Sequence, residues 1–198
     1  MTGQVSRSVT ATRVLALLAA LGVSTGCTVV ATNPDPRPNV FLNRDSRTLR
    51  LAGLEGIPQQ MTIGFGLPLG ISGIIGEVRV LGWREAIRKG FNAAFGRAFR
   101  VVESSPAELV LELVEVIPTI VVENREDPTD STVEVRFKAR LTERGGASRP
   151  IAGTVSSRRS LLYGATAVVS SALEVMYETL ASELFVDPAP RFGSSTGR

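Results

Sequence analysis

The sequence predicts an α+β fold: an antiparallel sheet of about four strands packed on two helices, in the order β-α-β-β-β-α. Three observations carry this. Two segments, near residues 82–100 and 167–185, repeat apolar residues at three- and four-residue spacing, the period of a half-buried helix. The stretch between them switches to a period of two. Finally, 43% hydrophobic against 21% charged residues in 198 is enough for one core of ordinary size.

The chain opens with Arg7 and Arg13 and no acid, followed by the apolar run Val14 to Val23. Ser24-Thr25-Gly26 then brings small residues up to Cys27, the only cysteine. A positive stretch, about seven to fifteen apolar residues and a small-residue site are the layout of a secretory signal. Spanning a bilayer takes about 20 apolar residues, so the run is too short for that. Residues 1–26 are therefore read as a cleaved signal. Thr32 to Asn39, TNPDPRPN, has three prolines in eight residues. Proline has no N–H to give a ladder and favours an extended chain, so 27–39 is read as a semi-rigid tether. At roughly 3.3 Å per residue it reaches at most about 40 Å. The C-terminal DPAPRFGSSTGR, 187–198, is polar and rich in breakers and reads as a flexible tail, leaving 40–186 as a single domain.

Within that domain a first strand falls in Val40–Leu51, where RTLRL alternates. The glycine-dense 52–82 segment has two open readings: a hairpin or loop packed on the sheet, or an exposed apolar loop that touches lipid or a partner. In GWREAIRKGFNAAFGRAFR, Trp83, Ile87, Phe91, Phe95 and Phe99 share a face opposite Arg84, Arg88 and Lys89, which is a core-facing helix. AELVLELVEVIP alternates through Leu109, Leu111 and Leu113, then slips phase at Val114, which calls for a bulge or bend. STVEVRFKARLT puts Val133, Val135, Phe137, Ala139 and Leu141 inward, and IAGTVSS closes a hairpin after RGGASRP. Ala167–Phe185 forms the second helix, with Val169, Leu173, Met176, Leu180, Leu184 and Phe185 on one face, and Asp187-Pro188 ends it.

Composition closes most routes to catalysis. There is no histidine, which removes His-based acid–base chemistry, Ser–His triads and His–metal sites. A lone cysteine makes neither an internal disulfide nor a thiolate metal site. Ser72 in GISGI lacks the GxSxG frame, and the glycine spacing matches no nucleotide loop. ENREDPTD, 123–130, lacks the alternating ligands and distal glutamate of a calcium loop, so it reads as a solvated hairpin tip and no metal site is expected. Nucleic acid is not expected either: Arg7 and Arg13 account for two of the 22 basic residues, leaving 20 against 19 acids. The reading is therefore not an enzyme, and no cofactor is implied. One surface carries a candidate role. Arg136, Lys138 and Arg140 share a strand face, with Arg158 and Arg159 just beyond the next strand. They form either a grip for anionic head groups or, more simply, cross-strand pairs with Glu108 and Glu112.

VSTGC resembles a bacterial lipobox, with Ser24 where leucine is usual. That resemblance implies cleavage between Gly26 and Cys27 and a diacylglycerol thioether on Cys27, which becomes the acylated N-terminus. The rival reading is an ordinary signal cut near Ala20 or Gly26 that leaves a free thiol. Thr28, in place of aspartate, implies the inner leaflet of the outer membrane facing the periplasm, by the sorting seen in enteric-type bacteria. With the element order, the chain resembles small envelope lipoproteins of the YajG-like type, auxiliary lipoproteins of ABC-type transport, and lipopolysaccharide-assembly lipoproteins. The resemblance implies a non-enzymatic accessory or binding factor of an envelope complex, with a membrane and an envelope protein as partners. A lipid or glycolipid carrier is the alternative.

Overall fold

A computed structural model describes residues 27–65, 76–104, 106–122, 130–160 and 164–185. The elements are β1 (Cys27–Thr32), β2 (Thr48–Ala52), β3 (Gln60–Phe65), β4 (Gly76–Leu81), α1 (Trp83–Phe95), β5 (Arg100–Val101), β6 (Leu109–Val122), β7 (Asp130–Glu143), β8 (Ser148–Ser160) and α2 (Ala165–Phe185). The strands form a five-stranded sheet, β5-β2-β6-β7-β8, and a three-stranded sheet, β1-β4-β3. The α+β class holds. The expected single antiparallel sheet of four strands does not, because β2 pairs parallel with β5 and β6, and β1 parallel with β4. A parallel pair needs a long crossover, and the segment from β3 through β5 supplies it between β2 and β6. The signal residues 1–26, loop residues 66–75 and 123–129 and the tail from 186 lie outside the described residues, as do the side chains of Cys27 and Arg159.

β7 shows why its sequence alternates. Val133, Val135, Phe137, Ala139 and Leu141 are all buried, and the charged residues between them stand on the outer face. β6 keeps an apolar inner face despite its phase slip. The register with β7 shifts between Leu113 and Glu115, so Val114 is the extra, exposed residue. Leu109, Leu111 and Leu113 are buried before the bulge and Val116 and Ile120 after it. Without the extra residue the second half of β6 would turn its apolar set to solvent. The glycine-rich segment is, in its described part, the antiparallel β3–β4 hairpin, with Ile63, Val78 and Val80 buried.

The two helices close the core. Trp83, Ile87, Phe91 and Phe95 of α1 are fully buried, as are Leu173, Met176, Tyr177 and Leu180 of α2. Tyr177 donates from Oη to the Ile87 carbonyl at 2.6 Å, and burial pushes its hydroxyl pKa upward, so it remains a neutral donor. Gly90 permits this close approach: a Cβ there would stand 2.5 Å from Cε2 of Tyr177. Among the described residues no helix is long and apolar enough to cross a membrane.

The expected tether is laid down on the domain rather than standing clear of it. Cys27–Thr32 is β1, and residues 33–39 form a strap along α2. Thr32, Asp35, Arg37 and Asn39 donate backbone N–H bonds to Thr166 Oγ1, Ser170 Oγ, Glu174 Oε1 and Glu178 Oε1, at 3.1, 3.1, 3.0 and 2.8 Å. Those acceptors recur every four residues, which places them in one row on the helix. Pro34, Pro36 and Pro38 occupy the alternate strap positions, where a backbone donor would find no acceptor in that row. Proline here fits the chain to a surface instead of holding it away from one.

A second clasp joins β2 to β6. Thr48 N–H and Oγ1 donate to Glu108 Oε2 at 2.8 and 3.1 Å, and Glu108 N–H donates back to Thr48 Oγ1 at 2.9 Å. The Thr48 backbone bond, and after it the hydroxyl, hold the Glu108 carboxyl below its ordinary pKa of 4.5. A carboxyl whose pKa is depressed on folding adds stability above its unfolded value and loses it as pH falls through the folded one. Wild type is therefore expected to lose stability relative to Glu108→Gln below about pH 4.5, with the two urea midpoints converging; parallel midpoints from pH 7 to 3 would contradict the clasp.

Candidate functional site

The basic row lies where the alternation places it, on the outer face of β7, and it is matched by acids of β6. Arg136 Nε and Lys138 Nζ donate to the two carboxylate oxygens of Glu115 at 2.9 and 2.8 Å, and Arg140 stands 3.6 Å from Glu112. The pairing acids are thus Glu112 and Glu115, whereas Glu108 is taken by Thr48. The bulge accounts for the change, since it brings Glu115 opposite Lys138. Lys138, then Arg136, hold the Glu115 carboxyl below its ordinary value. Pairs this exposed to solvent add little to stability. Arg158 is exposed on β8 with Thr132 as its register partner, and Arg159 pairs with Ser131 along the backbone. Cys27 opens β1 opposite Gly76.

Two concavities lie away from that face. The first, about 600 Å³, opens between α1 and the β2–β5 edge; Leu51, Leu54, Phe91 and Val101 form its floor, and Arg88 and Glu103 its rim. Its volume falls within the usual range of small-molecule pockets, about 300–1,000 Å³. Its floor joins Phe91 of the α1 stripe to Leu51 and Val101 at the sheet edge, while Trp83, Ile87 and Phe95 of the stripe are packed into the core. The second is a basin of about 940 Å³ between the strap and the outer side of α1. Arg37, Lys89 and Arg97 bring positive charge to it, and Phe41 stands 85% exposed at its wall. Among the described residues no group of three or more acidic, cysteine or histidine side chains is placed to hold a metal ion.

The basin was missed in the sequence because it joins residues 35–43 to residues 89–97, read there as a spacer, a strand and the solvent side of a helix. The one local signal was Phe41, an aromatic beside a proline-rich run with no periodic partner. Arg136, Lys138 and Arg140 lie together on the outer face of β7, opposite Glu115 and Glu112 of β6.

No family model matches the chain, and no curated protein is similar to it. Solved structures align with it at low identity. Protein XCC0632 from Xanthomonas campestris, of the family described as DUF330, is 11% identical over 81% of this chain and 95% of that one, with a TM-score of 0.47. A minor lipoprotein from Acinetobacter baumannii is 10% identical over 71% and 91%, with a TM-score of 0.38. The hypothetical protein CT253 from Chlamydia trachomatis is 7% identical over 70% and 95%, with a TM-score of 0.39.

Proposed function

We propose that the chain is a lipid-anchored protein of the bacterial envelope, facing the periplasm from the inner leaflet of the outer membrane. It acts there as a non-enzymatic accessory or binding factor. The observation that carries this reading is the position of Cys27: the residue that completes STGC is also the first paired residue of β1. Cleavage ahead of it leaves every described pair of β1 in place, with the new N-terminus at Cys27. Each buried CH₂ of an acyl chain contributes about 0.8 kcal/mol, so two or three chains hold the domain at the bilayer. The lipid-carrier reading has less support, since Arg136, Lys138 and Arg140 are engaged by glutamates and the helix stripe is packed. Cells fed radiolabelled palmitate are expected to label the wild-type protein and not Cys27→Ala; equal labelling of both overturns the anchor.

A further inference from the structure

We propose that the basin between the strap and α1 docks an acidic, extended segment of a partner protein, with an apolar side chain of that segment packing on Phe41. The inference rests on the binding-factor reading and names the chemistry of the partner. Charge is the first argument. Lys89 and Arg97 have no ion-pair or hydrogen-bond partner among the described residues, and both line the basin. Among the described residues lining the basin the one acid, Asp35, pairs with Arg37 at 3.0 Å. Arg37, Lys89 and Arg97 against Asp35 give the lining a net positive charge, which steers an acidic partner and disfavours a basic one.

Phe41 is the second argument. It is the most exposed of the large apolar side chains among the described residues, at 85%, while the other phenylalanines whose burial is described are packed in the core or half-buried against it. An aromatic ring beside free cations is the composition of an interface anchor with a polar rim. Rigidity is the third. The strap wall is fixed by its amide bonds to α2, and the opposite wall is a helix, so docking an extended segment orders little of this chain. Position favours a protein over the anchoring bilayer. The basin's strap wall begins at Asp35, beyond β1, whose six residues run about 16 Å from Cys27.

The test uses the full chain in detergent, with fluorescein-labelled twelve-residue peptides read by anisotropy. One peptide is rich in Asp and Glu with a single Leu, one is its Lys-substituted counterpart, and one is acidic without the Leu. The acidic Leu peptide is expected to bind, to weaken with rising salt, and to lose about tenfold in affinity with Lys89→Glu/Arg97→Glu. Phe41→Ser is expected to weaken it severalfold and to abolish its advantage over the Leu-less peptide. Both variants change exposed or half-exposed side chains, and circular dichroism should match wild type. Binding that ignores peptide charge, or an affinity unchanged in the double variant, overturns the proposal. So does retention by phosphatidylglycerol vesicles with no peptide binding, which assigns the basin to lipid. Palmitate labelling of Cys27 is read separately, so failure here leaves the anchor standing and failure there leaves the basin standing.

Discussion

Phe95→Ala is expected to lower the unfolding free energy by about 3–5 kcal/mol, the cost of deleting a buried ring from a packed core. Phe95 is fully buried and is the hub of the aromatic cluster. Its ring centroid lies 5.3 Å from Phe91, 5.4 Å from Phe185, 6.2 Å from Tyr177 and 6.5 Å from Phe99. Tilted and edge-on pairs of this kind add about 0.5–1.5 kcal/mol each beyond the area they bury, so the loss should fall at the upper end of the range. Against a total stability of about 5–15 kcal/mol, the substitution removes a third or more. Urea unfolding followed by circular dichroism measures it. Phe41→Ala is the internal control: a ring that is 85% exposed should change stability by no more than about 0.5 kcal/mol. A loss below about 1 kcal/mol for Phe95→Ala would mean that the two helices do not meet through this cluster.

Gly53→Ala is expected to cost about 2–4 kcal/mol although it adds only a methyl group, from left-handed strain together with overpacking. Gly53 has φ +83°, and a Cβ on it would stand 2.2 Å from the Leu113 carbonyl oxygen. That oxygen is backbone, at the bulge of β6, and has no side-chain torsion by which to move aside. The residue follows β2, which pairs with β6, so relieving the clash separates β2 from β6 or opens the bulge. Gly56→Ala supplies the comparison within the same turn, because nothing lies within 4 Å of its added carbon. Its expected change is about 1 kcal/mol or less. Equal urea midpoints for the two variants would refute the close approach at Gly53.

How much of this was legible in the sequence depended on how local the deciding contacts are. β7 was legible because one face is core and the other solvent, so burial is written as alternation. The bulge was legible for the same reason, since Val114 breaks that alternation at the position where the register shifts. Both helices were legible in type. α2 proved buried over a wider arc than its six marked residues, because the strap covers a flank that includes Ser170. β1 and the strap were not legible. Their bonds to α2 join residues about 135 positions apart, and Glu174 and Glu178 look like ordinary solvated positions until the strap lies on them. GEVRVL, now β4, does alternate, but the surrounding glycines masked it. The basic row of β7 was read correctly as a face, while its partners were displaced by the bulge and by the clasp on Thr48.

The strap also decides how the molecule takes load. A pull along the axis of β1 from its Cys27 end meets six paired positions against β4 in shear, so their hydrogen bonds resist together instead of parting one after another. Behind them, the bond from Asn33 N–H to the Leu81 carbonyl and the amide row on α2 engage in series. Traction at this end is passed into α2, which Tyr177 ties to α1 and which Ser171 and the Leu184 carbonyl tie to Ser157 and Arg149 of β8. The first residues of the fold thus form a mooring that spreads tension across the body behind it.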